Sequence, residues 1–156
     1  MITVTLPYPI SANRYWATRV VTPKGASRSM AMTYVTTEAK AYKEKVGWLL
    51  RAAGVRKPIE GRVALRIELF PHRPLDWQAR QRKLGPAWDD SVQCIDLGNA
   101  EKVLSDALKD IAFGDDKWLR DIHLVRREPD GEARVVVTIT PMPTEQVQGD
   151  LLGAAA

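Results

Sequence analysis

Residue types that often carry chemistry are scarce in this chain of 156 residues. It has one cysteine, Cys94, and two histidines, His72 and His123. A single cysteine excludes an internal disulfide and fits a cytosolic setting. The histidines and the cysteine show no zinc-ligand spacing, and the chain has neither a glycine-rich phosphate loop nor a G-x-S-x-G motif. Carboxylates and cations remain as the candidate chemical groups.

Long apolar runs are missing as well. No stretch approaches the roughly 18 apolar residues that a membrane-spanning helix needs. The first ten residues, MITVTLPYPI, lack a basic segment followed by a continuous apolar one, so we expect no signal peptide. We therefore expect a cytoplasmic protein with no membrane partner. The length indicates one domain that buries its own core.

The charge is distributed unevenly. Residues 1–57 carry ten Lys/Arg and two acids, a net of +8, whereas residues 89–121 carry nine acids and four bases, a net of −5. A basic surround with a compact acidic centre indicates a polyanion held by the first part and a cation held by the second. Chance segregation of charge on solvated helix faces explains the same pattern.

Hydrophobic periodicity predicts a small single domain of the α/β or α+β class. The predicted order is β-α-β-loop-α-β-β, with a mixed or antiparallel sheet and two main helices. PDG between the last two strands predicts a hairpin. We expect the domain to cover 1–142, with 143–156 as a flexible tail. The strands are predicted within 2–9, 61–71, 119–128 and 132–142, and the helices within 36–54 and 99–111.

Two long connections, 11–30 and 71–92, are predicted to be loops, and both are basic. Loops of this length inside a compact domain are commonly functional. Their aromatic residues are candidates either for stacking on unpaired bases or for covering the core: Tyr15, Trp16, Trp77 and Trp88. The candidate DNA-contacting residues, including one in the acidic segment, are Asn13, Arg14, Arg19, Lys24, Arg28, Arg73, Arg80, Arg82, Lys83 and Asn99.

The acidic segment CIDLGNAEKVLSDALKDIAFGDD carries the strongest chemical signal. Asp96, Asn99 and Lys102 recur at helical spacing, and a pair of aspartates follows Gly114 in a turn. Carboxylates from two segments with a lysine between them form a credible metal-dependent phosphodiesterase site. The alternative is structural, because Asp and Asn are common helix caps and turn residues.

Three segments resemble the RusA family of Holliday-junction resolvases, which are found in phages and prophages. They are ITVTLPYPISANRYW, DLGNAEKVLSDAL and AFGDDKWLRDI, in that order. The resemblance implies a RusA-like fold and a homodimer that cleaves four-way DNA junctions with Mg²⁺ or Mn²⁺ held by aspartates. These segments and the order of the elements extend the resemblance over most of residues 1–142.

The resemblance also implies roles for individual residues. Asp96 matches the family's first metal-binding aspartate, and Lys102 matches its catalytic lysine. Asn99 matches the family's asparagine. Asp116 matches its late, catalytic aspartate, with Asp115 as a neighbouring candidate ligand. A further match, Asp106, is expected to be structural.

Gly98 departs from the family pattern. The family has its second metal-site aspartate at this position, and glycine has no side chain. Either another carboxylate replaces it or cleavage is lost. The candidate replacements are Glu101, one turn along the helix, and Asp89 or Asp90, delivered by the 71–92 connection.

The leading hypothesis is therefore a homodimeric, Mg²⁺-dependent endodeoxyribonuclease that resolves junctions by paired nicks in recombination and repair. A second hypothesis is a junction-binding protein that no longer cleaves. A third is a small acid-rich metal-binding or scaffold protein without a DNA role.

Overall fold

The computed structural model describes residues 1–144. The expected tail, 143–156, lies outside the described residues except for its first two positions. The elements in chain order are β1 (Ile2–Pro7), α1 (Ala12–Tyr15), β2 (Trp16–Val21), β3 (Met30–Val35), α2 (Thr37–Ala52), β4 (Val63–Phe70), α3 (Trp77–Leu84), a 3₁₀ helix (Gly85–Ser91), α4 (Leu97–Leu108), a short 3₁₀ helix (Asp116–Trp118), β5 (Leu119–Arg126) and β6 (Arg134–Pro141).

A mixed four-stranded sheet forms the centre of the domain, in the order β1-β6-β4-β5. β4 pairs antiparallel with β6 and parallel with β5. The β4 side chains alternate between buried and half-buried, as the VALRIELF pattern predicts. With a two-stranded hairpin and four α-helices among residues 1–144, the domain is a small α+β fold, and the predicted class is confirmed.

The predicted hairpin between the last two strands is wrong. β5 and β6 lie on opposite sides of β4 and do not pair with each other. β6 buries Val135, Val137 and Ile139 completely and is paired on both edges, whereas β5 is largely exposed and forms one edge of the sheet. The more apolar strand therefore occupies the interior position, although the PDG segment suits a tight turn.

Helices α2 and α4 cover one face of the sheet. Thr36 caps α2 by accepting a hydrogen bond from the Ala39 N–H at 3.2 Å, and Ala39, Val46 and Leu50 are fully buried. α4 buries Val103, Leu104, Ala107 and Leu108 completely. These side chains and the buried side chains of the strands form one hydrophobic core. Both predicted helices are confirmed within a few residues.

The 11–30 connection is not a loop. After the single turn α1, β2 and β3 form an antiparallel hairpin whose strands do not join the main sheet. Gly25 has a φ of +83° in the segment between the strands, a conformation that suits glycine. The hairpin was missed because its strands do not alternate between core and solvent, and most of their side chains are exposed.

The 71–92 connection is also more ordered than predicted, since it forms α3 and a 3₁₀ helix. Its anchor is Trp88, which is 1% exposed and donates from Nε1 to the Glu128 carboxylate at 2.9 Å. Arg80 holds the two helices together by donating to the Ser91 carbonyl at 3.0 Å. The basic, proline-containing sequence resembles a loop because α3 itself buries no side chain.

Within residues 1–144, no helix has both the length and the apolar character required to span a bilayer.

Candidate functional site

Asp96 is the N-cap of α4. Its Oδ1 accepts a hydrogen bond from the Asn99 backbone N–H at 2.8 Å, and its Oδ2 accepts one from the Asn99 side-chain amide. The hydrogen bond from the Asn99 backbone N–H is the main cause that lowers the pKa of Asp96, and the Asn99 side-chain amide adds to it. Asp96 is therefore an exposed, ionised carboxylate at neutral pH.

One turn further along α4, Lys102 lies in a cleft of about 360 Å³. We name it the Lys102 cleft. α4, the short 3₁₀ helix, β5 and the first residue of β2 each contribute to it. The residues that line it are Trp16, Glu101, Lys102, Ser105, Asp106, Asp116, Leu119 and Ile122. The tertiary structure thus brings Lys102 and Asp116, which the sequence separates, to one surface.

The three carboxylates of the Lys102 cleft have different surroundings. Asp106 accepts a hydrogen bond from the hydroxyl of buried Tyr15 and lies 3.6 Å from the Lys43 ammonium. Glu101 accepts one from the Ser105 hydroxyl at 2.8 Å. Asp116 has a 60% exposed side chain, and its nearest cation is Lys109 Nζ at 3.9 Å. Asp106 is thus engaged in internal contacts, and Asp116 is the most exposed of the three carboxylates.

Asp115 and Asp116 are adjacent but differ in role. Asp115 caps the short 3₁₀ helix by accepting a hydrogen bond from the Lys117 backbone N–H at 2.9 Å. This bond is the main cause that lowers the pKa of Asp115. Asp115 therefore stabilises the turn that presents Asp116 to the Lys102 cleft.

Asp96 lines a second cleft, of about 630 Å³, which we name the Asp96 cleft. Arg14, His72 and Gln93 contribute polar groups to it, and Asn99 lies at its α4 side. The predicted constellation is therefore divided between two clefts along the first turns of α4. Among residues 1–144, no three His, Cys, Asp or Glu side chains lie close enough together to hold a metal ion.

Position 98 is open to a side chain. A Cβ atom built on Gly98 meets only the Asp96 Oδ1 atom, at 3.4 Å. Residues three and four positions apart share a helix face, so Glu101 and Lys102 lie on the face of position 98. Glu101 is thus the available carboxylate nearest to that face in the Lys102 cleft.

The aspartates of the 71–92 connection lie elsewhere. Asp90 is exposed in the 3₁₀ helix and lines neither cleft. Asp89 is half-buried there, and its backbone carbonyl accepts a hydrogen bond from Arg126 at 2.8 Å. Of the three candidate replacements for the missing carboxylate, only Glu101 lines a cleft together with Lys102.

Some of the candidate DNA-contacting side chains are engaged in contacts within the protein, and the others are exposed. Arg14 lines the Asp96 cleft and pairs with Glu38. Arg80 is engaged with Asp76 and Ser91, and the Arg73 guanidinium lies 4.9 Å from the centre of the Trp77 ring. The remaining candidates on α1, the hairpin and α3 are exposed: Asn13, Arg19, Lys24, Arg28, Arg82 and Lys83.

The aromatic candidates also divide. Tyr15 and Trp88 are fully buried, so these two belong to the core and cannot stack on a ligand. Trp16 lines the Lys102 cleft, and Trp77 lies under Arg73. The sequence interpretation missed Tyr34, whose exposure is 45% on the hairpin. The alternation of Met30, Met32 and Tyr34 was the signal that could have found it.

An ionised helix cap and a cleft lined by a lysine and carboxylates thus lie along one helix of a basic α+β domain. The chain belongs to the RusA endodeoxyribonuclease family, whose model matches residues 7–140.

Individual relatives agree with the family assignment. The chain is 29% identical to the crossover junction endodeoxyribonuclease RusA of Escherichia coli strain K12 over 143 residues, which cover 91% of this chain and 96% of that protein. It is 27% identical, with the same coverage, to the protein of that name from Enterobacteria phage 82. It is 28% identical to the Shigella sonnei protein, again with the same coverage.

Proposed function

We propose that this protein is a Mg²⁺-dependent endodeoxyribonuclease that resolves four-way DNA junctions by paired nicks during recombination and repair. We propose further that it acts as a homodimer in the cytoplasm of a bacterial or phage-infected cell. The observation that carries the proposal is the Lys102 cleft, which brings together Lys102 and Asp116, the residues that match the lysine and the late aspartate of the family pattern. The names of its relatives support the same activity.

The chain's own residues supply binding and electrostatic contributions. The exposed Lys102 ammonium takes part in no ion pair among residues 1–144, so it is available to contact a phosphate. A positive charge at that point stabilises the negative charge that develops when the phosphate is attacked. The Asn99 amide holds the Asp96 carboxylate in one orientation at the start of α4.

The donor set fits Mg²⁺, with Mn²⁺ as the alternative cation. Mg²⁺ prefers carboxylate oxygens, keeps several waters and is commonly held by one or two carboxylates together with substrate phosphates. Asp116 and Glu101, which share the Lys102 cleft, would hold it, with Glu101 replacing the carboxylate absent at Gly98, and Asp96 would reach it from the adjoining cleft at the start of α4. When bound, such an ion polarises a phosphoryl oxygen and lowers the pKa of a bound water. A site completed by the substrate is consistent with the lack of a three-residue metal cluster among residues 1–144.

The basic surface supports a polyanionic substrate. Exposed cations lie on the hairpin and at the end of α3, beyond the two clefts. Contacts of this kind bind phosphates without reading bases, so affinity should fall steeply with salt and follow junction shape. A homodimer suits paired nicks, because its two-fold symmetry provides two identical sites.

Gly98 gives a second candidate function, a junction-binding protein that does not cleave. Both Asp96 oxygens already accept hydrogen bonds from Asn99, and position 98 contributes no ligand. Metal affinity could then be too low for catalysis while the basic surface still binds DNA.

One assay separates these candidates. A labelled four-way junction is incubated with and without Mg²⁺, with the wild type beside Asp116→Asn. Paired nicks that need Mg²⁺ and disappear in the variant support the nuclease. A band shift without nicks supports the binding protein. The absence of both nicks and a band shift contradicts both candidates. Asp110→Asn is the matched control, because Asp110 is exposed in the turn after α4 and its φ of 66° also suits asparagine.

A further inference from the structure

The β2–β3 hairpin is an unpartnered ribbon. Its two strands pair only with each other, and eight of its twelve strand positions are exposed to solvent. A two-stranded ribbon without a packed face is marginally stable by itself in water. The exposed faces of the hairpin are therefore open to a binding partner.

The two faces of the hairpin differ in chemistry. In the antiparallel register Thr18 lies opposite Thr33, and their hydroxyls are 3.3 Å apart. This side we name the Thr33 face. On the other side, Arg19 lies opposite Met32, and Tyr34 lies opposite Ala17. We name it the Tyr34 face, and its large side chains are Arg19, Met30, Met32 and Tyr34.

The Tyr34 face exposes much of its apolar surface. Met30 is 54% exposed, and Met32 and Tyr34 are each 45% exposed. The Arg19 guanidinium carbon lies 5.5 Å from the centre of the Tyr34 ring. An accessible ring with a guanidinium next to it is a suitable surface for stacking a nucleobase, since bases stack on both groups.

Charge distinguishes between possible partners of the Tyr34 face. Residues 16–35 contain Arg19, Lys24 and Arg28 and no carboxylate. A second copy of the same face would bring two hairpins together that each carry three cations and no carboxylate, which is unfavourable. A nucleic acid provides both the phosphates that these cations require and the bases that the ring requires.

The hairpin also continues from the candidate catalytic cleft. Trp16, the first residue of β2, lines the Lys102 cleft and pairs with Val35, so it lies on the Thr33 face. The Tyr34 face begins at the next residue, Ala17, which pairs with Tyr34. A strand that leaves the Lys102 cleft therefore reaches the Tyr34 face by crossing the edge of the ribbon.

We propose that the Tyr34 face binds unpaired nucleobases of single-stranded DNA, with Tyr34 stacking on a base and Arg19 contacting the adjoining phosphate. The inference deepens the proposed function, because an opened junction presents unpaired bases beside the nicking site. It assigns the hairpin a role in holding single-stranded DNA that is separate from phosphodiester cleavage.

The test measures affinity without cleavage. Fluorescence anisotropy of a labelled oligothymidylate is recorded with the full-length protein in EDTA. Tyr34→Ala should raise the Kd at least about fivefold, because one base–aromatic stack is worth about 1–3 kcal/mol. Tyr34→Phe keeps the ring and should stay within about twofold of the wild type. Thr33→Ala is the matched control, since it is the exposed neighbour on the opposite face and should also stay within about twofold.

Two results would overturn the inference. One is an unchanged Kd in Tyr34→Ala. The other is a loss of dimer in that variant by light scattering with single-strand affinity retained, which would make the Tyr34 face an interface between copies. Failure of the proposed function is a separate observation: wild type that does not nick a junction in Mg²⁺ contradicts the nuclease, whatever Tyr34→Ala does to single-strand binding.

Discussion

The two faces of α4 show how one helix carries both the stability and the candidate chemistry of this protein. Its inner face is apolar, and Val103, Leu104, Ala107 and Leu108 are completely removed from water. Its outer face carries Asp96, Asn99 and Lys102, which border the two clefts. Changes to the inner face should therefore alter the free energy of unfolding, and changes to the outer face should alter metal binding and DNA cleavage. The following variants test this separation in order of decreasing expected effect.

Leu104→Ala tests the inner face and should have the largest effect. The substitution leaves a cavity in a packed core, so the free energy of unfolding should fall by about 2–5 kcal/mol. Urea denaturation followed by circular dichroism measures it. Lys102→Ala is the control from the outer face and should change the free energy by no more than about 0.5 kcal/mol. Equal losses in the two variants would contradict the separation.

Lys102→Met tests the outer face. Removing one positive charge from a preorganised site should slow junction cleavage about 100- to 1000-fold, because the developing negative charge loses its partner. The melting temperature should stay unchanged, since the side chain is exposed. Nicking of a labelled junction in Mg²⁺ provides the rate. Lys40→Met, at an exposed lysine on α2, serves as the control. A wild-type cleavage rate in Lys102→Met would show that Lys102 does not contribute to the reaction.

Gly98→Asp places on the outer face the carboxylate that the family resemblance implies for this position. A Cβ atom at this position has room, with only Asp96 Oδ1 in contact at 3.4 Å. An added carboxylate near a divalent cation should tighten Mn²⁺ binding at least about tenfold, as measured by titration calorimetry. Gly98→Ala controls for the higher helix propensity of a non-glycine residue. Unchanged Mn²⁺ affinity in Gly98→Asp would mean that position 98 does not face the cation.

Asp96→Asn should have the smallest measured effect, a loss of stability that depends on pH. Hydrogen bonds from Asn99 lower the pKa of Asp96, so the charged carboxylate stabilises the fold above the ordinary aspartate pKa of about 3.9. That contribution is lost as the pH falls through the lowered value. Asparagine also caps helices, so only the charge-dependent part differs. In thermal melts from neutral to acidic pH, the melting temperatures of the wild type and Asp96→Asn should converge in acid. A difference that stays constant with pH would mean that the charge of the Asp96 cap is not the cause of the difference in stability.

Local patterns were sufficient for several features. The apolar spacing of α2, the alternation along β4 and the helix start near Asp96 depend on neighbours within a few residues, and all were predicted. The late aspartate pair was matched to the family from its AFGDDKW context, and its turn was predicted correctly as well.

Features that depend on distant contacts were missed. Trp88 makes the 71–92 connection ordered because it packs in the core and donates to Glu128, 40 residues away. The hairpin was missed for the opposite reason, because its strands pair with each other without a buried face. The β5–β6 hairpin was wrong because strand order follows burial across the whole sheet.

Caps, periodicity and short motifs are local properties, so they were sufficient to predict the domain class, the two main helices and the family to which the chain belongs. The sharing of one cleft by Lys102 and Asp116, the position of Asp96 in another and the distance of Asp90 from both came from the tertiary structure. Which residues line a cleft depends on the packing of α4 against β5 and the 3₁₀ helix, and residue spacing along the chain does not encode that packing.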